Sequence, residues 1–393
     1  MSQDTFNLEK ISDLTVKLIG LAVFGRQLSQ SEVDLLDEPT LTKIYQLSHM
    51  HDVTQIVAFA LDKLGLLSGE DNLTTAFCNS RFFSVLRVEK AEDLYEQSNA
   101  VLSKAQIDYL PIKGKVYRDL YPFNYFRTSN DTDVLVKKSD LSRAKSALMA
   151  MLNLKVEYST SHDVVLSNEA LGHLELHHTL IESCHAEKAS KLLDKVWDSA
   201  IKTSEYGYEM DKETTIFYHV AHMLKHTFGG GCGIKPFIDL KLLMDSGYDQ
   251  KKLFDLVDRG GVRKFFDECV NLSEFWFGGG RPSSVSAEFS EYVVGAGVFG
   301  DFHNQVAVQE IKQGGRFRYL MSRVFMPYET LKGKYPSLEG KKWLTPFYWV
   351  RRFFGMLTSK QAKYRFKELQ QSKYVDKERV KKIEKLMSDL DLL

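Results

Sequence analysis

Residues 127–136 read RTSNDTDVLV. A polar, turn-forming run leads into two aspartates one residue apart, Asp131 and Asp133, and then into a β-branched apolar run. Side chains alternate between the faces of a strand. Asp131 and Asp133 therefore point the same way, roughly 7 Å apart along the backbone, while Thr132, Val134 and Val136 point into apolar packing. Two carboxylates that close repel each other unless something positive lies between them. A divalent cation with oxygen ligands meets that need, and Mg2+ is the usual one where phosphates complete the shell. A two-metal arrangement calls for a third acid. Glu175, in HLELHH (173–178), supplies it if its strand lies beside the first. Leu174 and Leu176 would then face the core, while His173, Glu175 and His177 share the opposite face.

Outward from these strands the pattern changes character. Residues 6 to about 105 carry apolar residues at spacings of three and four and give no strand signal. IDYLPIKG (107–114) is short, apolar and β-leaning and stops at Pro111 and Gly114. KVYRDLYP suits a short helix. KSDLSRAKSALMAMLN suits a longer one with Ser139 as its cap. KVEYS, DVVLSN and HLELHHTL follow as strands. From 187 onward the chain reads as helical again, with GGGCG (229–233) breaking one helix from the next. The fold class is thus α+β, a small mixed sheet flanked by helical regions. The implied parts are an N-terminal helical region (1–104), an α/β core (105–185), a helical domain closing a cleft (186–335) and an aromatic, basic tail (336–393).

Bulk properties exclude several classes. Fifty-two basic residues balance fifty-two acidic ones, so nothing in the global charge advertises nucleic-acid binding. The four cysteines, Cys78, Cys184, Cys232 and Cys269, form no C-x-x-C pair, which argues for reduced thiols in a cytoplasm. No apolar run approaches the roughly 20 residues that span a bilayer, and the polar, acidic N-terminus is unlike a signal peptide.

The order is strand, IKG turn, helix, strand with D-x-D, helix, and a later strand with one acid. It resembles the nucleotidyltransferase superfamily of the DNA polymerase beta type. It resembles more closely the bacterial family of uncharacterised nucleotidyltransferases, which shows an LKG turn, an Arg shortly before a DIDLLV-type strand, and an ELHW-type strand. Here these read IKG (112–114), Arg127, DTDVLV (131–136) and ELHH (175–178). The flanking LSHMHDVTQIVAFAL and HVAHMLKH…IKPFIDLKLL extend the likeness over most of residues 10 to 245. Thr132 stands where the pattern has an apolar residue and His178 where it has an aromatic. The superfamily's Gly-Ser pair is absent, since Lys115 follows Gly114. The resemblance implies a nucleoside triphosphate, ATP among the choices, held with Mg2+, or Mn2+ in its place, on Asp131, Asp133 and Glu175. An acceptor hydroxyl would attack the α-phosphorus and expel pyrophosphate. Lys113, Gly114, Arg127 and Ser129 would contact the nucleotide, with His222 touching phosphate or acceptor if its helix lines the cleft. The acceptor implied is a small molecule or glycan intermediate rather than a nucleic acid. A catalytically degenerate binding module of the same fold and a metal-dependent phosphohydrolase, using His177, His178 and His185, are the alternatives.

Other signals read as structural. His219, His222 and His226 form one helical stripe without an acid or cysteine to complete a zinc set. GGGCG reads as an interhelical loop, and Asp239 either as part of a solvated helix face, the favoured reading, or as an extra acid near the site. In the tail, KKWLTPFYWVRRFFGML (341–357) mixes aromatic and basic residues, and twelve Lys/Arg oppose four Asp/Glu between 351 and 385. A packed helix followed by a solvated one accounts for this. A peripheral contact with an anionic membrane through 341–385 is the functional alternative.

Overall fold

The alternation in DTDVLV is what the sheet is built on. The computed structural model describes residues 3–160, 162–182, 186–298, 300–328, 331–332, 335–358 and 376–393. In it five strands are ordered β1-β2-β5-β4-β3. They are β1 (Tyr109–Pro111), β2 (Asp131–Val136), β3 (Lys155–Ser159), β4 (Asp163–Asn168) and β5 (Gly172–His177). The β2–β5 pair is parallel and the other pairs are antiparallel, so the sheet is mixed and the chain is α+β as the sequence implies.

One face of this sheet is apolar. Val134, Val136, Leu174, Leu176, Val164 and Leu166 pack there against Leu94, Val101 and Leu102 of the helix Asn72–Lys104 and against Ala144 and Leu148 of the helix Leu141–Leu152. Each such side chain contributes about 1.5–3 kcal/mol on full burial, and only this register buries all of them. Thr132 shares the face and is 7% exposed. Its hydroxyl donates to the Ala91 carbonyl at 3.2 Å, which satisfies the polar atom that burial would otherwise penalise.

Side-chain capping is confined to some of the described helices. Asp71 accepts from the Leu73 and Thr74 amides, both at 2.9 Å. Ser139 does not cap the helix it precedes. The Asp140 amide bonds back to the Lys137 carbonyl, and this turn moves the N-cap on to Asp140, whose side chain makes no capping bond.

The chain divides into two compact units, residues 1–225 with 232–298, and residues 226–231 with 299–393. In the first, a buried polar knot fixes the approach to β2. Gln55 donates to the Phe126 carbonyl at 2.8 Å. Asp52 accepts from the Thr128 hydroxyl at 2.9 Å and from Arg87 at 3.0 Å, and pairs with the buried Lys235 ammonium. Lys235 also donates to the Thr128 carbonyl at 3.2 Å. Burial, the largest influence, pulls the Lys235 ammonium down to about 8 despite Asp52. In the second unit Gly230 takes φ +106 and lies against Asp301, where a Cβ would collide with the carbonyl. The helices Phe302–Lys312 and Lys377–Asp389 pack together, tied by Arg379 to Asp301 at 2.6 Å and to Asn304. No helix among the described residues is long and apolar enough to cross a membrane.

Removing one partner of a buried ion pair strands the other charge. Asp52→Ala is expected to lower unfolding stability by about 3 kcal/mol or more, read from the urea midpoint by tryptophan fluorescence. An unchanged midpoint would show that the Lys235–Asp52 pair does not hold the β2 approach.

Candidate active site

The parallel register sets Asp131 opposite His173, Asp133 opposite Glu175 and Leu135 opposite His177. All six project from the face away from the apolar core. Asp133 and Glu175 thus stand on adjacent strands, about 4.8 Å apart in the backbone. Two acids that close need a counter-charge, and Lys113 provides it. Its Nζ lies 2.6 Å from Asp133 Oδ1, 3.4 Å from Glu175 Oε2 and 3.5 Å from His177 Nε2. His177 Nε2 in turn approaches Asp133 Oδ1 at 3.0 Å and Glu175 Oε2 at 3.2 Å.

The electrostatics follow from this packing. Burial works hardest against the Lys113 charge, yet Asp133 and Glu175 hold the ammonium well above the ordinary lysine range. Burial likewise opposes charge on Asp133, and Lys113 and His177 outweigh it, so its carboxyl falls below the usual range. Asp131 behaves oppositely. Burial first, then Glu175 and Asp133, push it up to about 6. It makes no side-chain hydrogen bond or ion pair among the described contacts. Tyr218, from the helix Lys212–Phe228, is fully buried with an unpartnered hydroxyl. Its phenol is raised by burial and interacts electrostatically with Lys113, Asp133 and Glu175.

Among the described residues, Asp133, Glu175 and His177 form the one group of ligating side chains whose donor atoms all lie within 4.8 Å of one another. Two carboxylates suit Mg2+ or Mn2+, and the imidazole shifts the balance away from a pure Mg2+ set. His177 is the member that the sequence pattern placed on the right face and gave a ligand role only in the phosphohydrolase alternative. Period-two alternation in HLELHH was the signal, but it could not separate a ligand from a bystander. Asp131 sits two residues before Asp133 on the same face, outside this trio.

The other predicted residues cluster around two loops. Gly114 opens the short helix Gly114–Arg118, and a Cβ there would come 2.9 Å from Ser129 Oγ. The turn and the loop before β2 therefore close on each other only because residue 114 lacks a side chain. Arg118, which the sequence pattern did not single out, ties them together: it donates to Ser129 Oγ at 3.2 Å and to the Arg127 carbonyl at 3.2 Å, and pairs with Glu92. Arg127 donates through Nε to both Asp239 oxygens at 2.8 and 3.0 Å and through Nη1 to the Thr128 carbonyl at 2.8 Å. Asp239 also accepts from Tyr121 at 2.7 Å and is 0% exposed. This corrects the reading of Asp239 as a solvated position: the side chain faces inward because Arg127, 112 residues earlier, needs a counter-ion. His222 is half-buried with its ring 5.9 Å from that of Tyr218. His219 is a satisfied core histidine, 2.8 Å from the Pro236 carbonyl. His185 lies outside the described residues.

The sequence model of the family described as uncharacterised nucleotidyltransferase matches residues 37–278. Among solved structures, that of the antibiotic-resistance factor ANT(2'')-Ia is similar over 44% of this chain and 92% of that one, with 13% identity and a TM-score of 0.33. No curated protein matches.

The Arg127–Asp239 pair lies within the matched span and is open to a direct test. Asp239→Leu is expected to cost about 3–5 kcal/mol by stranding the Arg127 cation, and adding Arg127→Met to recover most of that loss. Denaturant titration of the two single variants and the double variant measures the coupling. Additive losses would show that the pair is not a unit.

Proposed function

Because this chain belongs to the family of uncharacterised nucleotidyltransferases, we propose that it moves a nucleoside monophosphate from a nucleoside triphosphate such as ATP to a hydroxyl of a small-molecule or glycan-type acceptor, releasing pyrophosphate. The observation that carries this reading is the β2–β5 register, which sets Glu175 beside Asp133 with Asp131 two residues along the same face. The donor set fits a divalent ion. Asp131, Asp133 and Glu175, with His177 beside them, would hold Mg2+ or Mn2+. When bound, that ion would neutralise phosphate charge and lower the pKa of a hydroxyl.

The protein's own groups have separable parts in this scheme. Asp131 is the carboxyl least neutralised by the protein, because burial, Glu175 and Asp133 all work against its charge, so a bound cation would relieve it most. Lys113 brings a mobile positive charge to the triphosphate. Arg127, fixed by Asp239, contributes positive potential rather than a free fork. Gly114 and Ser129 shape the turn against which phosphates would lie, and His222, beside Tyr218, would touch phosphate or acceptor. The core near 105–185 would carry the chemistry, with the helices after it closing the cleft.

The acceptor has a natural place further along the same sheet face. Beyond Leu135 lies a cavity of about 660 Å3 whose lining includes Lys137, His162, His178, Glu182, Asp194 and Trp197. Its His162 ring lies 6.1 Å from that of His177. Charges of both signs around a tryptophan suit a polyhydroxylated acceptor better than a polyanion such as nucleic acid. We place the protein in the cytoplasm, with a peripheral contact to anionic membrane through 341–385 as the alternative to a packed helix followed by a solvated one. Support for the contact comes from Trp343 and Phe347, which are 72% and 67% exposed beside Lys341 and Lys342. Residues 359–375 of that stretch lie outside the described residues.

Incubation with Mg2+ and each α-labelled triphosphate tests the reaction. Pyrophosphate with label retained on an acceptor is expected. Release of inorganic phosphate alone would favour a phosphohydrolase, and tight binding without turnover a degenerate module. Asp133→Asn and Glu175→Gln should each lower turnover by about 10²-fold or more while far-UV circular dichroism stays unchanged. For the tail, Trp343→Ser with Phe347→Ser should abolish co-sedimentation with vesicles containing phosphatidylserine. Unchanged sedimentation would sink the membrane contact.

A further inference from the structure

We infer that Lys113 is the resident cation of this site, and that a divalent ion reaches Asp133, Glu175 and His177 only when a triphosphate draws the ammonium away. Ion and nucleotide then bind as a coupled pair. The inference rests on the preceding reading that these three side chains hold an ion.

Three observations carry it. First, the ammonium stands among the donor atoms themselves, 2.6, 3.4 and 3.5 Å from the three that converge within 4.8 Å. An ion held by Asp133 Oδ1 would have to share that oxygen with the ammonium. It would press against the ammonium on the same atom, and two cations in contact in a poorly solvated site repel strongly. The two occupants therefore exclude each other. Second, the lysine is anchored so that only its side chain can leave. The Lys113 carbonyl accepts from the Tyr117 amide at 3.1 Å, and the Ile112 amide donates to the Asp133 carbonyl at 3.3 Å. Lys113 itself takes φ +53, an uncommon conformation for a non-glycine residue. Third, the cluster is not a closed network: His177 Nδ1 and the Tyr218 hydroxyl are buried without hydrogen-bond partners.

Charge explains the coupling. Three carboxyl groups face a single ammonium here, so a bare triphosphate finds more acidic groups than cations. A bare divalent ion meets the ammonium in its place. Together they remove both obstacles, because the triphosphate offers the ammonium a new anionic partner. Coupling of this kind is reciprocal: each ligand tightens the other by the same factor.

Electron paramagnetic resonance of protein-bound Mn2+, on the full chain, tests this. The unsubstituted protein is expected to bind Mn2+ at least about tenfold more tightly with a non-hydrolysable adenosine triphosphate analogue than without it. Lys113→Met is expected to bind Mn2+ alone at least about tenfold more tightly than the unsubstituted protein, with a smaller gain from the analogue. Equal Mn2+ affinity in the two proteins would overturn the inference. So would an unsubstituted protein that binds Mn2+ equally well with and without the analogue, a result that needs no variant to fold. If Asp133→Asn holds Mn2+ with the analogue as tightly as the unsubstituted protein, the metal-site assignment fails instead, and the inference falls with its premise.

Discussion

The parallel pairing of β2 with β5 is the constraint on which the rest depends. It buries Val134, Val136, Leu174 and Leu176 on one face and in the same act sets Asp133 beside Glu175 on the other. Hydrophobic burial thus enforces a like-charge contact. A slip of one residue would relieve the repulsion but turn the apolar set to water. The acids are held together by the core behind them, and a cation is needed to make that tolerable.

Around this strand pair the first unit uses ion pairs as clamps on loops. Asp52 with Lys235 holds the chain entering β2, Arg127 with Asp239 holds its base, and Arg118 with Glu92 joins it to the turn at Gly114. Such pairs contribute little net stability compared with apolar replacements, yet breaking one is expensive. Their value here is geometric. They add fixed polar ties to loops already seated by Phe126 and Tyr117, so that the side chains between them are held in one arrangement.

What the sequence disclosed follows the range of each interaction. The strands, the shared face of Asp131 and Asp133 and the direction of Glu175 were legible because alternation is local, repeating every two residues. The likeness to a known family then joined strands that no local rule could join. Asp239 was misread because its burial depends on Arg127, far away in the chain, and a helix pattern cannot report a distant partner. Ser139 failed as a cap because the backbone turn at Lys137–Asp140 took precedence over the favoured residue type. His177 lay in plain view on the correct face, but only the folded register shows its imidazole meeting two carboxylates.

The residue at 113 draws these points together. Its φ of +53 would be met more easily by glycine. A glycine there would leave Asp133 and Glu175 side by side with no ammonium between them, and the cost of two adjacent carboxylates with poor solvation exceeds the roughly 1–3 kcal/mol of an unusual backbone conformation. The strained lysine is therefore the lesser penalty, and it has a chemical consequence. A counter-charge on a flexible four-carbon stem can be exchanged for another cation, whereas a fixed guanidinium such as Arg127, locked to Asp239, cannot. The two cations divide the work accordingly: Arg127 holds the frame, and Lys113 offsets the acid pair with a charge that can move.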